Sequence, residues 1–269
     1  MRTPSPYIQI SIDPAASLTE TERRQLAGEL NSISICYMLL LENVNLPKVK
    51  RINIEFTNGP YAQFGVIGPM RSSPVIAITS AFDFYDEIKF EQNSLIKRRK
   101  ILQAVHENFI KICKHFNYDL SPFESVYTKL QSNLNDITLV LDNAISKDKK
   151  FKACMQAKIE FREVSLSIVI DQNSEIVNQI SVVNIFPSYY FLDRVVGKLS
   201  WTGNSKLTLK APGLGVILGA SIHDNKMSIV ESTPEKAKEY AEIELRLMTP
   251  EIGDDERAAL MKKKGDFIS

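Results

Sequence analysis

The sequence predicts an α+β fold, and three observations predict it. Two long stretches carry apolar residues at steps of three and four, the spacing of a helix that buries one face. Short segments around them alternate apolar and polar, as half-buried strands do. After residue 136 the chain turns to consecutive alternating segments separated by turn residues, the pattern of an antiparallel meander. The expected organisation is an N-terminal mixed strand/helix region over 1–136 with two long amphipathic helices. An antiparallel β region over 137–232 is expected to pack on it as one compact unit, followed by a charged helical tail over 233–269.

In chain order, Ile8, Ile10 and Ile12 fall on one side of a strand that ends near Pro14. Thr19 and Glu22 have the spacing of a capping box. The helix that follows carries Leu26, Leu30, Ile33, Tyr37, Leu40 and Val44 inward and stops at Pro47. Ile52, Ile54 and Phe56 define a second strand, and Asn58-Gly59-Pro60 turns the chain. Val75–Thr79 reads as a short strand buried on both faces. A long helix is expected from about Glu87 to Phe116, with Leu95, Leu102, Val105, Phe109, Ile112 and Phe116 as its stripe. Its basic run Lys97-Arg98-Arg99-Lys100 reads as a solvated face. Ser121-Pro122-Phe123-Glu124 starts another helix, with Ser at the cap, and Phe123, Val126, Tyr127, Leu130 and Leu134 inward.

In the second half, Phe151, Ala153, Met155, Ala157, Ile159 and Phe161 alternate with polar partners over the clearest half-exposed strand of the chain. Leu166–Ile170 and Ile176–Phe186 follow, joined by the turn residues 171–174. Gly203-Asn204 predicts a hairpin between Leu199-Ser200-Trp201 and Leu207-Thr208-Leu209, and Asp224-Asn225 another turn. In the tail, Thr233-Pro234-Glu235 opens a helix that Thr249-Pro250-Glu251 interrupts. Its apolar stripe is narrow: Tyr240, Ile243 or Glu244, and Leu247. Such a helix packs on the domain edge, docks on a partner or joins copies of the chain, or frays.

Composition excludes several function classes. With 44% hydrophobic and 24% charged residues, the 269-residue chain has an ordinary globular balance and can bury a core without staples. A net charge of +1 supplies no global field that would favour nucleic acid or an anionic membrane. Cys36, Cys113 and Cys154 form no C-x-x-C pair and read as buried, reduced thiols. The N-terminal segment lacks the apolar core of a secretory signal, and no apolar run is long enough to span a membrane. Together these predict a cytoplasmic protein.

Catalytic signatures fail on spacing. His106-Glu107 begins the H-E-x-x-H zinc motif, but Ile110 stands where the second imidazole is needed, and His115 falls on the opposite side of the helix. Gly213, Gly215 and Gly219 do not make a dinucleotide loop, because the third glycine is one place late and strand residues follow. No phosphate-loop or nucleophile-elbow motif is present. The sequence therefore assigns no catalytic residue, no metal site and no cofactor. An enzyme remains an alternative only through a site assembled in the fold.

The most suggestive surface segment is "IFPSYYFLDR". Tyr189, Tyr190 and Phe191 follow a proline in a predicted loop, with Arg194 close behind, and aromatic and Arg side chains dominate interface hot spots. The same loop would fold onto the core through Phe191 and Leu192. The charged turn Lys147-Asp148-Lys149-Lys150 would either steer a partner or simply be solvated.

The helix "ILQAVHENFIKICKHFNYD", the following "SPFESVYTKL" and then "SKDKKFKACMQAKIEFREVSLSIVI" resemble the bacterial immunity proteins encoded beside polymorphic toxins. The likeness lies in a helix carrying a Val-His pair and ending in Tyr118-Asp119, a capped helix, the charged turn 146–150, and a strand entered through Lys152-Ala153. It covers roughly residues 95–210 and carries no fixed site residues. The resemblance implies a cytoplasmic protein without catalysis of its own that binds and neutralises one cognate toxin domain by steric occlusion.

Overall fold

The structure, a computed structural model, describes residues 6–13, 18–41, 46, 49–57, 67–69, 75–81, 83–134, 137–160, 163–232, 236–250 and 252–268. Pro14, Val44, Pro47, Asn58-Gly59-Pro60, Phe161, Thr233-Pro234-Glu235 and Glu251 lie outside the described residues. The fold is α+β, and the chain divides into two compact units, Met1–Ile137 and Thr138–Ser269.

The first unit begins β1 (Tyr7–Ile12), α1 (Glu20–Leu40), β2 (Arg51–Thr57), β3 (Ile67–Pro69) and β4 (Val75–Ala81). The sheet order is β1-β2-β4-β3, with β1, β2 and β4 parallel and β3 antiparallel to β4. Two adjacent parallel strands cannot be joined by a tight turn, so α1 supplies the crossover between β1 and β2. The register stacks Ile8 on Ile52 and Ile10 on Ile54, then Ile52 on Ile76 and Ile54 on Ile78. One face of the sheet is therefore a buried isoleucine lattice. The strand at 75–81 corrects its expectation: Ile76, Ile78 and Ser80 are buried while the residues between them are only half-buried, so it alternates.

The capping box of α1 is present. Glu22 N–H donates to Thr19 Oγ1 at 3.2 Å, and Thr19 N–H donates to Glu22 Oε2 at 2.8 Å. From Ser32 to Met38 every side chain is buried, far more than a single stripe. This half of the helix packs on β1 and on two later helices. Its hydroxyls are satisfied on backbone: Ser32 Oγ donates to Gly28 O and Ser34 Oγ to Ile8 O.

The expected continuous helix from Glu87 is two helices, α2 (Phe84–Ile88) and α3 (Ser94–Phe116). Asn93 makes the break. Its side chain accepts from Leu95 N and Ile96 N, a local bond that starts a new helix in place of continuing the old one. The basic run is also not simply solvated. Arg98 is buried and donates to Leu134 O at 2.7 Å, while Lys100 pairs with Glu87 at 2.9 Å. α4 (Ser121–Ser132) follows, and its start is held by Asp119, whose carboxylate accepts from Ser121 N at 3.0 Å and from the Ser121 hydroxyl. Those bonds hold Asp119 below the usual carboxylate range.

His106, outside the predicted apolar stripe of α3, is nonetheless part of the core. It is buried, its Nδ1 lies 3.2 Å from the Tyr37 hydroxyl, and its ring stacks on Tyr127 at 4.0 Å. Burial lowers its pKa, against the opposing charges of Glu124 and Glu107. The unfolded chain, with an imidazole near its reference value of about 6.5, therefore takes up the proton first as pH falls. The stability His106 contributes is complete above that value and declines below it towards the folded-state pKa. The urea midpoint is expected to be lower at pH 5.5 than at pH 7.5. That gap should shrink in His106→Gln; an unchanged gap would place the pH dependence elsewhere.

The second unit contains β5 (Ile137–Ile145, its first residue shared with the first unit), β6 (Phe151–Ile159), β7 (Val164–Gln172) and β8 (Glu175–Ile185). Then come α5 (Tyr189–Val195), β9 (Lys198–Thr202), β10 (Lys206–Ala211), β11 (Val216–Ser221), β12 (Ser228–Ser232), α6 (Lys236–Met248) and α7 (Asp254–Ile268). Its strands form two four-stranded meanders, β5-β6-β7-β8 and β12-β11-β10-β9. Ala153, Met155, Ala157 and Ile159 are buried, as the alternation demands. Asn173 and Ser174 both adopt positive φ, the two-residue turn that matches strand twist. Hydrogen bonds tie the two sheets together. Trp201 Nε1 donates to Ala144 O and Leu199 N to Asp142 Oδ2, joining β9 to β5. Ser181 bridges Lys226, joining β8 to the turn before β12. The tail is built into this unit: α6 packs on β8, β11 and β12, and its Ile243 and Leu247 cluster with Ile252 and Leu260.

Candidate functional site

Residues 189–195 form a short helix, α5, where the sequence predicts a loop. Pro187 and Leu192 are buried and orient it. Gly213 permits the close approach of the neighbouring turn, since a Cβ there would lie 2.5 Å from Arg194 Cα. Tyr189 and Phe191 are half-buried, and Tyr190 is 55% exposed.

Arg194 is committed inward. Its guanidinium pairs with Glu244 of α6 at 3.2 Å and lies over the Tyr190 ring, 5.2 Å from the centroid, with Nη1 donating to the Tyr190 hydroxyl. Glu244 is only 3% exposed, and it also pairs with Lys264 of α7. Lys264 in turn lies over Tyr240. One buried carboxylate thus holds two cations from two helices. Burial pulls the Arg194 pKa down, but the Glu244 charge and the Tyr240 and Tyr190 hydroxyls outweigh it and leave it above its ordinary value. The hydrogen bond to Glu244 raises that of Lys264. The exposed Tyr190 ring therefore stands on a cation that is itself locked in place.

The charged turn 147–150 is exposed throughout. Asp148 accepts from Ser146 Oγ at 2.7 Å and from Lys150 N at 3.2 Å, and Lys149 takes a positive φ of 61°. The Ser146 hydroxyl bond, chiefly, holds Asp148 below the usual carboxylate range. Asp148 N–H donates to Asn204 Oδ1 in the β9–β10 turn, so the two turns sit together. The turn is thus placed against the β9–β10 turn, while Arg194 of α5 is placed against Glu244 of α6.

Glu244 and Lys264 were missed as partners of Arg194. The signal was present: Glu244 is a charge inside an apolar stripe, and a charge there needs a buried partner. Burial pushes the Cys36 thiol up to about 12 and that of Cys113 up to about 11, so neither is a thiolate at neutral pH. Among the described residues no group of three His, Cys, Asp or Glu side chains is placed to hold a metal ion. Among them, too, no helix is long and apolar enough to cross a membrane. No known protein family, no curated protein and no solved structure matches this chain.

Proposed function

We propose that this chain is an immunity protein of bacterial competition that binds a cognate toxin domain in the cytoplasm and neutralises it by covering its surface. The observation that carries this reading is the Tyr190–Arg194–Glu244 arrangement. An exposed aromatic ring fixed over a buried-end ion pair loses little side-chain freedom when a partner covers it. Rigid aromatic and Arg anchors of this kind dominate binding energy in interfaces of about 1,600 Å². The exposed Lys147, Lys149 and Lys150, on a turn fixed by Asp148, supply charge that steers encounter. The resemblance over residues 95–210 supplies the class of partner.

Tyr190→Ala is expected to weaken toxin binding by about 2 kcal/mol, some thirtyfold in Kd, mostly through faster dissociation. Titration of the purified toxin domain by calorimetry reads the affinity. An unchanged Kd would remove this face from the interface.

A further inference from the structure

Each meander of the second unit ends in an edge strand, β8 in one and β12 in the other. The two edges meet at one point and then part. Ser181 N–H donates to Asn225 O at 2.8 Å, and Ser181 O accepts from Met227 N–H at 2.9 Å, which makes a single parallel bridge to Lys226. Further along, Phe186 N–H donates to Met248 O at the end of α6. Between these pins, Val182–Asn184 and Ser228-Ile229 line a cleft of about 410 Å³, and among the described residues no strand completes either ladder. Leu245, Arg246 and Thr249 of the α6 end also line it.

We propose that this cleft takes an extended peptide segment of a partner protein, added as a strand between β8 and β12. Unpaired sheet edges present N–H and C=O groups spaced for another strand, and only an extended backbone offers the matching alternation. The volume lies in the range of formed binding sites. Val182, Met227, Ile229 and Leu245 give the walls apolar contact for alternate side chains. Lys226, exposed at the bridged end, pairs with no described acid. Arg246 is already held by both oxygens of Glu256, and Glu163 precedes Val164, which pairs with Ile185 at the far end of the cleft, so Lys226 sets the charge preference at the bridged end. The segment should therefore alternate apolar residues and carry one carboxylate. The inference stands apart from the toxin-binding face.

The test uses the full chain and a phage-displayed library of random octapeptides. Selected peptides are expected to alternate apolar residues and to contain Asp or Glu. They should bind Lys226→Glu about tenfold more weakly and Tyr190→Ala unchanged. N-methylation of central peptide amides should cost a similar factor, because it removes ladder donors and leaves the side chains alone. Hydrogen exchange should show protection at Val182–Asn184. Failure to enrich any binder, or binders indifferent both to N-methylation and to Lys226→Glu, would overturn the proposal.

Discussion

Glu244→Ala is expected to destabilise the second unit by about 3–5 kcal/mol, because it leaves two cations partly buried without their shared carboxylate. Arg194 and Lys264 have side chains only 14% and 23% exposed, so water replaces the lost charge poorly. The loss is felt by three helices at once, since α5, α6 and α7 each contribute one of the three groups. Lys263→Ala makes the contrast. The Lys263–Glu239 pair is closer than Arg194–Glu244, at 2.7 Å against 3.2 Å, but both its side chains are about half exposed. Removing it should cost under about 1 kcal/mol. Urea midpoints at constant m-value report both changes. Comparable losses in the two variants would mean that burial of Glu244 is not what gives the network its weight. Glu244→Ala should also free the Arg194 guanidinium beneath Tyr190 and lower partner affinity.

Phe109→Ala carries the second large effect, a loss of about 3–5 kcal/mol from the first unit. Phe109 is fully buried, and its ring lies 4.6 Å from Tyr37 and 4.7 Å from Phe123, so it joins α3 to both α1 and α4. Truncation leaves a cavity where three helices meet. Phe90, 79% exposed, is the control: its replacement by alanine should stay within about 0.5 kcal/mol. A small loss at Phe109, measured by the same denaturation, would mean that the aromatic file is loosely packed.

The parts of the fold that rest on local chemistry could be read from the chain. The Thr19–Glu22 box, the alternation at 151–159 and the turns at 173–174 and 203–204 each need only a few neighbouring residues, and each is present. The misreadings lie where tertiary contacts decide. Asn93 splits a periodic stretch because its side chain outcompetes helical continuation. Arg98 looks like part of a solvated run, but the Leu134 carbonyl, 36 residues away, draws it inside. His106 lies outside the predicted apolar stripe, and nothing local shows that Tyr37, on another helix, comes against it. At the candidate site, the aromatic cluster was visible but its foundation was not. Arg194 reaches Glu244 across fifty residues of intervening strand and turn, and spacing along the chain carries no trace of that pairing beyond the anomalous charge in the α6 stripe. The β8–β12 cleft depends wholly on how two sheets end, which no local pattern records.

The central claim is that the chain binds one protein toxin and silences it. Affinity capture with the tagged full chain from its native host, mass spectrometry of the eluate and a growth assay with the captured protein test it most directly. The account predicts one dominant partner bound at nanomolar Kd, toxic when expressed alone, harmless beside the wild-type chain, and toxic again beside a folded Tyr190→Ala chain when the two are expressed at equal levels. A captured partner that remains toxic in the presence of saturating wild-type chain would contradict it.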